Sequence, residues 1–203
     1  MKPVYDSHLD LIEILQMRVG EALPQAATLR RRLVRRSWRR GEMLFQAGER
    51  VTQLAVIKSG LVKLTALSEE GTERILEFIV EGQVAACVST LDGTLEAACS
   101  ATACEDTTIE ALVFEPVRLL AETEPLWARC LNLLLSDAAR HLSERERMLL
   151  TLSPPERFAQ AIAERPWLID RVTQQDLAAY IGITPVSLSR LRARERRRAD
   201  ATA

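Results

Sequence analysis

Apolar positions along the chain follow three rhythms in turn, each predicting a different kind of element. Within residues 1–27, Leu9, Leu11, Ile12, Ile14 and Leu15 recur at helical spacing, and Gly20 and Pro24 mark the end of one amphipathic helix. From Gly41 the runs become short and β-rich: Leu54–Ile57, Leu61–Leu67, Ile75–Val80, Ala97–Ala103 and Thr107–Val113. Gly48, Gly60, Gly71, Gly82 and Gly93 punctuate them at intervals of 12, 11, 11 and 11 residues. That spacing predicts an antiparallel sandwich or barrel, and with six of the eight glycines in this region it reads as one domain. Val113-Phe114-Glu115-Pro116 closes it.

The helical rhythm then returns over Glu124–Leu152. Leu131, Leu134, Ala138, His141, Arg145, Met148 and Leu152 alternate by three and four, a coiled-coil-like seam, with Leu126, Leu133 and Leu142 on an adjacent face. Two stripes on one long helix predict burial on both sides, one against the β region and one against a partner chain. His141 reads as a packed or solvated seam residue rather than a pH sensor. Ser153 and Glu156 form a capping box around Pro154-Pro155, and Phe158, Ala159 and Ile162 give the next helix its inner stripe up to Arg165-Pro166. The double proline is placed as a hinge.

Thr173–Arg192 predicts two short helices joined by a tight turn. Thr173 caps the first, with Asp176 as an imperfect capping-box partner, and Leu177, Ala178 and Ile181 form its apolar stripe. Gly182 ends it, Thr184 caps the second helix, and Pro185 occupies the first position, where a missing N–H costs nothing. Leu188 and Leu191 fall on one side of the second helix, and Val186, Ser189, Arg190 and Ala193 on the other, flanked by Ser187 and Arg194. Such a face suits a DNA major groove, where Arg reads guanine N7/O6 and small residues let the backbone approach. Arg190 is the candidate guanine contact, Ser187 and Ser189 lie near bases or phosphates, and Gln174 and Arg194 position phosphates. Val186 offers only a methyl surface, suited to thymine.

Thr173–Arg192 resembles the helix-turn-helix of the CRP/FNR family of bacterial transcription regulators. The segments Arg40–Glu49, Ile57–Leu64 and Ser68–Ile79 resemble that family's cyclic-nucleotide-binding fold, so the likeness runs from about Arg39 to Arg192. It implies an α+β protein: an N-terminal antiparallel β-roll (1–116), a dimerisation helix region (117–152) and a helix-turn-helix domain with a basic tail (153–203). It further implies a homodimer that binds double-stranded DNA at a roughly palindromic site, with RNA polymerase as a further partner; a cytoplasmic location is expected from the lack of a spanning run or signal-peptide pattern. Where nucleotide-binding members carry Gly-Glu and Arg-Ser, this chain has Ala86-Cys87 and Glu96-Ala97. A carboxylate in place of the phosphate-binding cation is repulsive by several kcal/mol in a partly dry site, so usual cAMP binding is not expected. The residues around this vestigial site are small and apolar, giving either a filled roll or room for a neutral effector. The usual two-stranded wing after the recognition helix is missing: Ala193–Ala203 is too short for it, and either replaces it as a basic tail or leaves the domain weakened.

Composition adjusts this picture at a few points. No apolar run approaches the ~18 residues that span a bilayer, and no signal-peptide pattern is present, so no membrane association is expected. The net charge of −1 hides a basic C-terminal part: from Thr151 onward nine arginines face six acids. Seven arginines in Arg30–Arg40 form either a second nucleic-acid patch, with Trp38 stacking, or a solvated strand edge. Cys87, Cys99, Cys104 and Cys130 have no Cys-x-x-Cys spacing and only His8 and His141 as helpers, so no metal or other cofactor is expected. They read as buried thiols, with oxidation at Cys87, Cys99 or Cys104 left open. No nucleophile elbow, phosphate loop or metal motif suggests an enzyme. The competing class is a β-roll dimer that does not bind DNA and instead serves small-ligand sensing, redox sensing or protein contacts.

Overall fold

The computed structural model describes residues 6–85 and 88–200. Helix α1 (Leu11–Val19) starts with a complete capping box between Asp10 and Glu13 and ends at Gly20 in the left-handed region. A short α2 (Ala26–Arg30) takes the first arginine of the basic run. Eight strands follow: β1 (Val34–Trp38), β2 (Met43–Phe45), β3 (Gln53–Ser59), β4 (Leu61–Leu67), β5 (Glu73–Val80), β6 (Val84–Ala85), β7 (Ser100–Ala103) and β8 (Thr107–Val113). They build two antiparallel sheets, ordered β1-β8-β3-β6 and β2-β7-β4-β5. Between the sheets Ala55, Ile57, Ile109 and Ala111 meet Val62, Ile79 and Ala101. Gly60 makes the β3–β4 turn at φ +97°, where a Cβ would run into Thr107.

Helix α3 (Val88–Asp92) lies between β6 and β7. The strand expected over 97–103 begins only at Ser100, because Ala97 spends its backbone groups on the turn at Gly48 and Glu49. The long helix is α5 (Pro125–Thr151), and α4 (Glu115–Thr123), unforeseen in the sequence, links it to the roll. Trp127, Cys130 and Leu134 of α5 pack with Leu11, Ile14 and Leu15, closing one sheet of the roll.

The central residues of the expected seam of α5 face inward rather than outward. Leu134 and Met148 are buried, His141 meets Glu77 of β5, and Arg145 donates to the carbonyls of Ile75 and Tyr180. Exposure falls instead on Leu142 (59%), Leu149 (39%) and Leu150 (77%), and the first two extend the line of half-buried Leu131, Leu135 and Ala138. That line also alternates by three and four, rotated from the expected one. Leu142, placed against the roll from sequence, is on the outside.

Helices α6 (Pro154–Glu164), α7 (Leu168–Arg171), α8 (Gln174–Ile181) and α9 (Pro185–Asp200) complete the chain. The capping box of Ser153 and Glu156 forms as expected. Ala161 rather than Ala159 is the buried alanine of α6, beside half-buried Phe158 and Ile162. The basic stretch after Arg192 continues α9 as helix to Asp200, and no strand follows it among the described residues. No described helix is long and apolar enough to cross a membrane.

Candidate nucleic-acid interface

The two helices expected over Thr173–Arg192 form with their caps in place. The Thr173 hydroxyl accepts from the Asp176 N–H at 3.0 Å, and Gly182 ends α8 in the left-handed region at φ +77°. The Gly182 and Ile183 N–H groups both return to the Ala178 carbonyl, at 2.9 and 3.0 Å. Thr184 Oγ1 accepts from the Ser187 N–H at 3.2 Å, capping α9. Only half of the expected Thr173–Asp176 box exists: the Asp176 carboxylate accepts instead from Lys63 Nζ of β4 at 2.8 Å. A pairing across 113 residues leaves no trace in local spacing.

Leu177, Ala178, Ile181 and Leu188 are all at most 2% exposed and join α8 to α9 in one core. The fully buried Ala178 is small enough to admit α9 closely. On the opposite face Val186, Ser187, Ser189, Arg190 and Arg194 are exposed, as are Thr184 and Gln174. The sequence-designated residues are therefore all solvent-exposed, at the start of α8 and along α9. Ser187 Oγ lies 3.0 Å from Thr184 Oγ1 and belongs to the cap as well as to that face.

The residues that fix this surface in place are ones the sequence did not single out. Glu77 and Arg165 pair in the interior, at 3% and 4% exposure, with Arg165 Nη2 3.4 Å from Glu77 Oε2. Breaking such a pair from one side costs about 3–5 kcal/mol, because a buried charge is left alone. Arg171 grips Glu81 at 2.8 and 2.9 Å and also pairs with Glu105. Burial opposes ionisation of Glu81, but the bonds from Arg171 outweigh it and hold its pKa below the ordinary 4.5. Burial likewise works against the charge of Lys63, yet the bonds to Asp176 and Glu73 raise its pKa. Tyr180 stacks 5.3 Å from Phe78 of β5, and the Arg145 guanidinium lies 4.2 Å above its ring. The proline segment expected as a hinge thus leads into a domain held firmly to the roll.

Of the residues expected at a vestigial nucleotide site, Ala86 and Cys87 lie outside the described residues. Glu96 is exposed and bridges through its backbone to Arg50; Ala97 is buried. A largely apolar cleft of about 690 Å³ lies between β5, α3, α5 and α8, lined in part by Leu76, Val88, Cys99, Leu142 and Leu149. A second cavity of about 340 Å³ lies inside the roll, so the described residues leave space where one reading expected a filled interior. Trp38 lines that cavity beside Phe45 and does not present a free face for stacking. Burial pushes the Cys104 and Cys130 thiols up to about 11, which disfavours the reactive thiolate. Among the described residues no group of three or more His, Cys, Asp or Glu could hold a metal ion.

Comparison with known proteins agrees with this architecture. Residues 35–122 match the cyclic nucleotide-binding domain. The anaerobic regulatory protein of Aggregatibacter actinomycetemcomitans is 24% identical over 164 residues, 75% of this chain, and the match spans only 63% of that protein's length. The fold is that of FixK2 from Bradyrhizobium japonicum, with a TM-score of 0.74 at 19% identity over 82% of this chain and 86% of that one. The catabolite activator protein of Thermus thermophilus superposes with a TM-score of 0.55 at 25% identity, covering 92% and 88% of the two chains. The chain thus carries a cyclic nucleotide-binding domain in front of a docked helix-turn-helix, and its fold is shared with solved structures of bacterial regulators.

Proposed function

We propose that the protein is a homodimeric, sequence-specific DNA-binding transcription regulator that reads a roughly palindromic site with α9. The observation that carries this reading is the exposed face of Val186, Ser187, Ser189, Arg190 and Arg194 on a helix whose opposite side is locked into a core. The exposed Leu142 and Leu149 on α5 offer an apolar stripe to a second copy, and a two-fold axis there would present two α9 helices to successive major grooves, which lie about 34 Å apart. Arg190 reads guanine, Val186 packs on a thymine methyl, and Gln174 and Arg194 hold phosphates.

Glu96 presents a carboxylate where a cyclic nucleotide needs a cation, so cAMP does not control binding in the usual way. The test is selection of binding sites from a random DNA pool at fixed moderate salt, with and without cAMP. An inverted repeat recovered equally in both supports the reading. Recovery only with cAMP contradicts the effector part, and recovery of nothing even at low salt contradicts the DNA-binding part.

The apolar cleft beside α5 favours one second reading, a dimeric module that senses a neutral apolar molecule. Loss of Arg190 separates the two, since a function without DNA does not notice it.

A further inference from the structure

The cavity of about 340 Å³ inside the roll is a different space from the cleft beside α5. No described helix contributes to its lining, neither Glu96 nor Ala97 borders it, and Leu64 is the one residue it shares with the cleft. Alanines on both sheets open it: Ala55 and Ala85 are cross-strand partners in one sheet, and Ala101 lies in the other. Close-packed interiors leave few voids larger than a water molecule, whereas this one has room for roughly ten.

Wall and rim differ in chemistry. Ile57, Val62, Ile79 and Ile109 are buried along the wall, and Trp38 and Phe45 are half-buried beside them. The rim carries the exposed Arg36, Arg50 and Glu49, a net positive charge, and neither guanidinium forms an ion pair with a described carboxylate. Arg36 shares a face of β1 with Trp38, so a cation lies on the inner side of an edge strand. An inward charge on an edge also blocks pairing between molecules, but that use does not extend to Arg50, which lies outside the strands. The rim is already fixed in place. The Gly48 N–H donates to the Ala97 carbonyl at 2.8 Å, the Ala97 N–H to the Glu49 carbonyl at 2.9 Å, and the Val51 N–H to the Leu95 carbonyl at 2.8 Å.

We propose that this inner cavity binds a small monocarboxylic acid with an apolar ring body, its ring against Trp38, Phe45 and the aliphatic wall and its carboxylate at the rim on Arg36 and Arg50. Planar guanidinium forks match a carboxylate, and Glu49 repels a second negative charge on the same ligand. Ligand pockets run from ~300 to ~1,000 Å³, so a space at the small end of that range limits the body to one or two rings. A sugar or nucleotide is a poorer fit, because its hydroxyl and base groups would meet no hydrogen-bonding side chain along the buried wall. The inference stands apart from the DNA-binding reading, and its test needs no DNA.

The test uses the full-length protein with isotopically labelled isoleucine methyl groups and four probes: benzoate, phenylacetate, cyclohexanecarboxylate and 2-naphthoate. Ile57, Ile79 and Ile109 line the cavity and Ile75 lines the cleft, so the two spaces report separately in a methyl spectrum. At least one acid is expected to shift the first three signals saturably and leave Ile75 unmoved. The matching alcohol, with CH2OH in place of the carboxylate, should bind about tenfold more weakly. Arg36→Gln/Arg50→Gln should bring the acid down to the level of the alcohol and leave the alcohol unchanged. Ala101→Leu should exclude both, with Ala85→Leu as a second filling variant should the first not fold. The proposal is overturned if no acid shifts the cavity methyls, if only Ile75 responds, or if acid and alcohol bind alike. It is equally overturned if the Gln variant keeps the preference for the acid or a folded filling variant still binds.

Discussion

Arg190 projects from the exposed face of α9 with Ser187, Ser189 and Val186 around it. Replacing it with alanine should cost roughly 1–3 kcal/mol of specific binding and relax base preference at one position in each half-site. Gln174→Ala should instead weaken binding to every sequence alike, and a panel of operators with single-base changes separates the two patterns. At this scale the sequence was most legible where an interaction is local. Thr173, Gly182, Thr184 and the Ser153–Glu156 box all act within a few residues of themselves, and all form as their spacing predicts. Asp176, Glu77 and Glu81 answer to residues far along the chain, and no local pattern announces which cation each will meet.

For the long helix, the length of α5 could be read from sequence to within a residue at each end, but not its orientation. Two lines of residues on it alternate by three and four, and only the position of the roll decides which is inward. His141 and Arg145, which weakened the expected seam as a dimer contact, are the polar residues that tie the helix to its own roll and to α8. The two lines predict opposite mutant behaviour. Leu142→Glu combined with Leu149→Glu should abolish self-association, read by sedimentation, and leave the thermal unfolding of the monomer nearly unchanged. Leu134→Ala should do the reverse, costing about 2–5 kcal/mol of stability because Leu134 is only 6% exposed.

Across the whole molecule, the helix-turn-helix half and the roll are joined by charge pairs that titrate. The pKa of Glu81 lies below its ordinary 4.5 in the folded protein, so its pairing with Arg171 contributes fully above that value and is lost as the pH falls below it. Acidification should therefore loosen the contact between α7 and β5, seen as lower amide-exchange protection, relative to the intrinsic rate at each pH, in both segments. Glu81→Gln should already exchange faster at neutral pH, with less further change on acidification. The contribution is about 1 kcal/mol, since the pair is partly exposed.

Tyr180, Leu177 and Leu168 share one cluster with Leu61, Ile75, Phe78 and Val80 of the roll. The helix-turn-helix half thus completes its interior with side chains borrowed from β4 and β5. Severed at Ser153, it would present that borrowed surface to water and carry Arg165 without the acid it pairs with. Grafting these C-terminal helices onto another protein would mean carrying the β4–β5 hairpin with them, so the smallest portable unit of the molecule cuts across the boundary between its two halves.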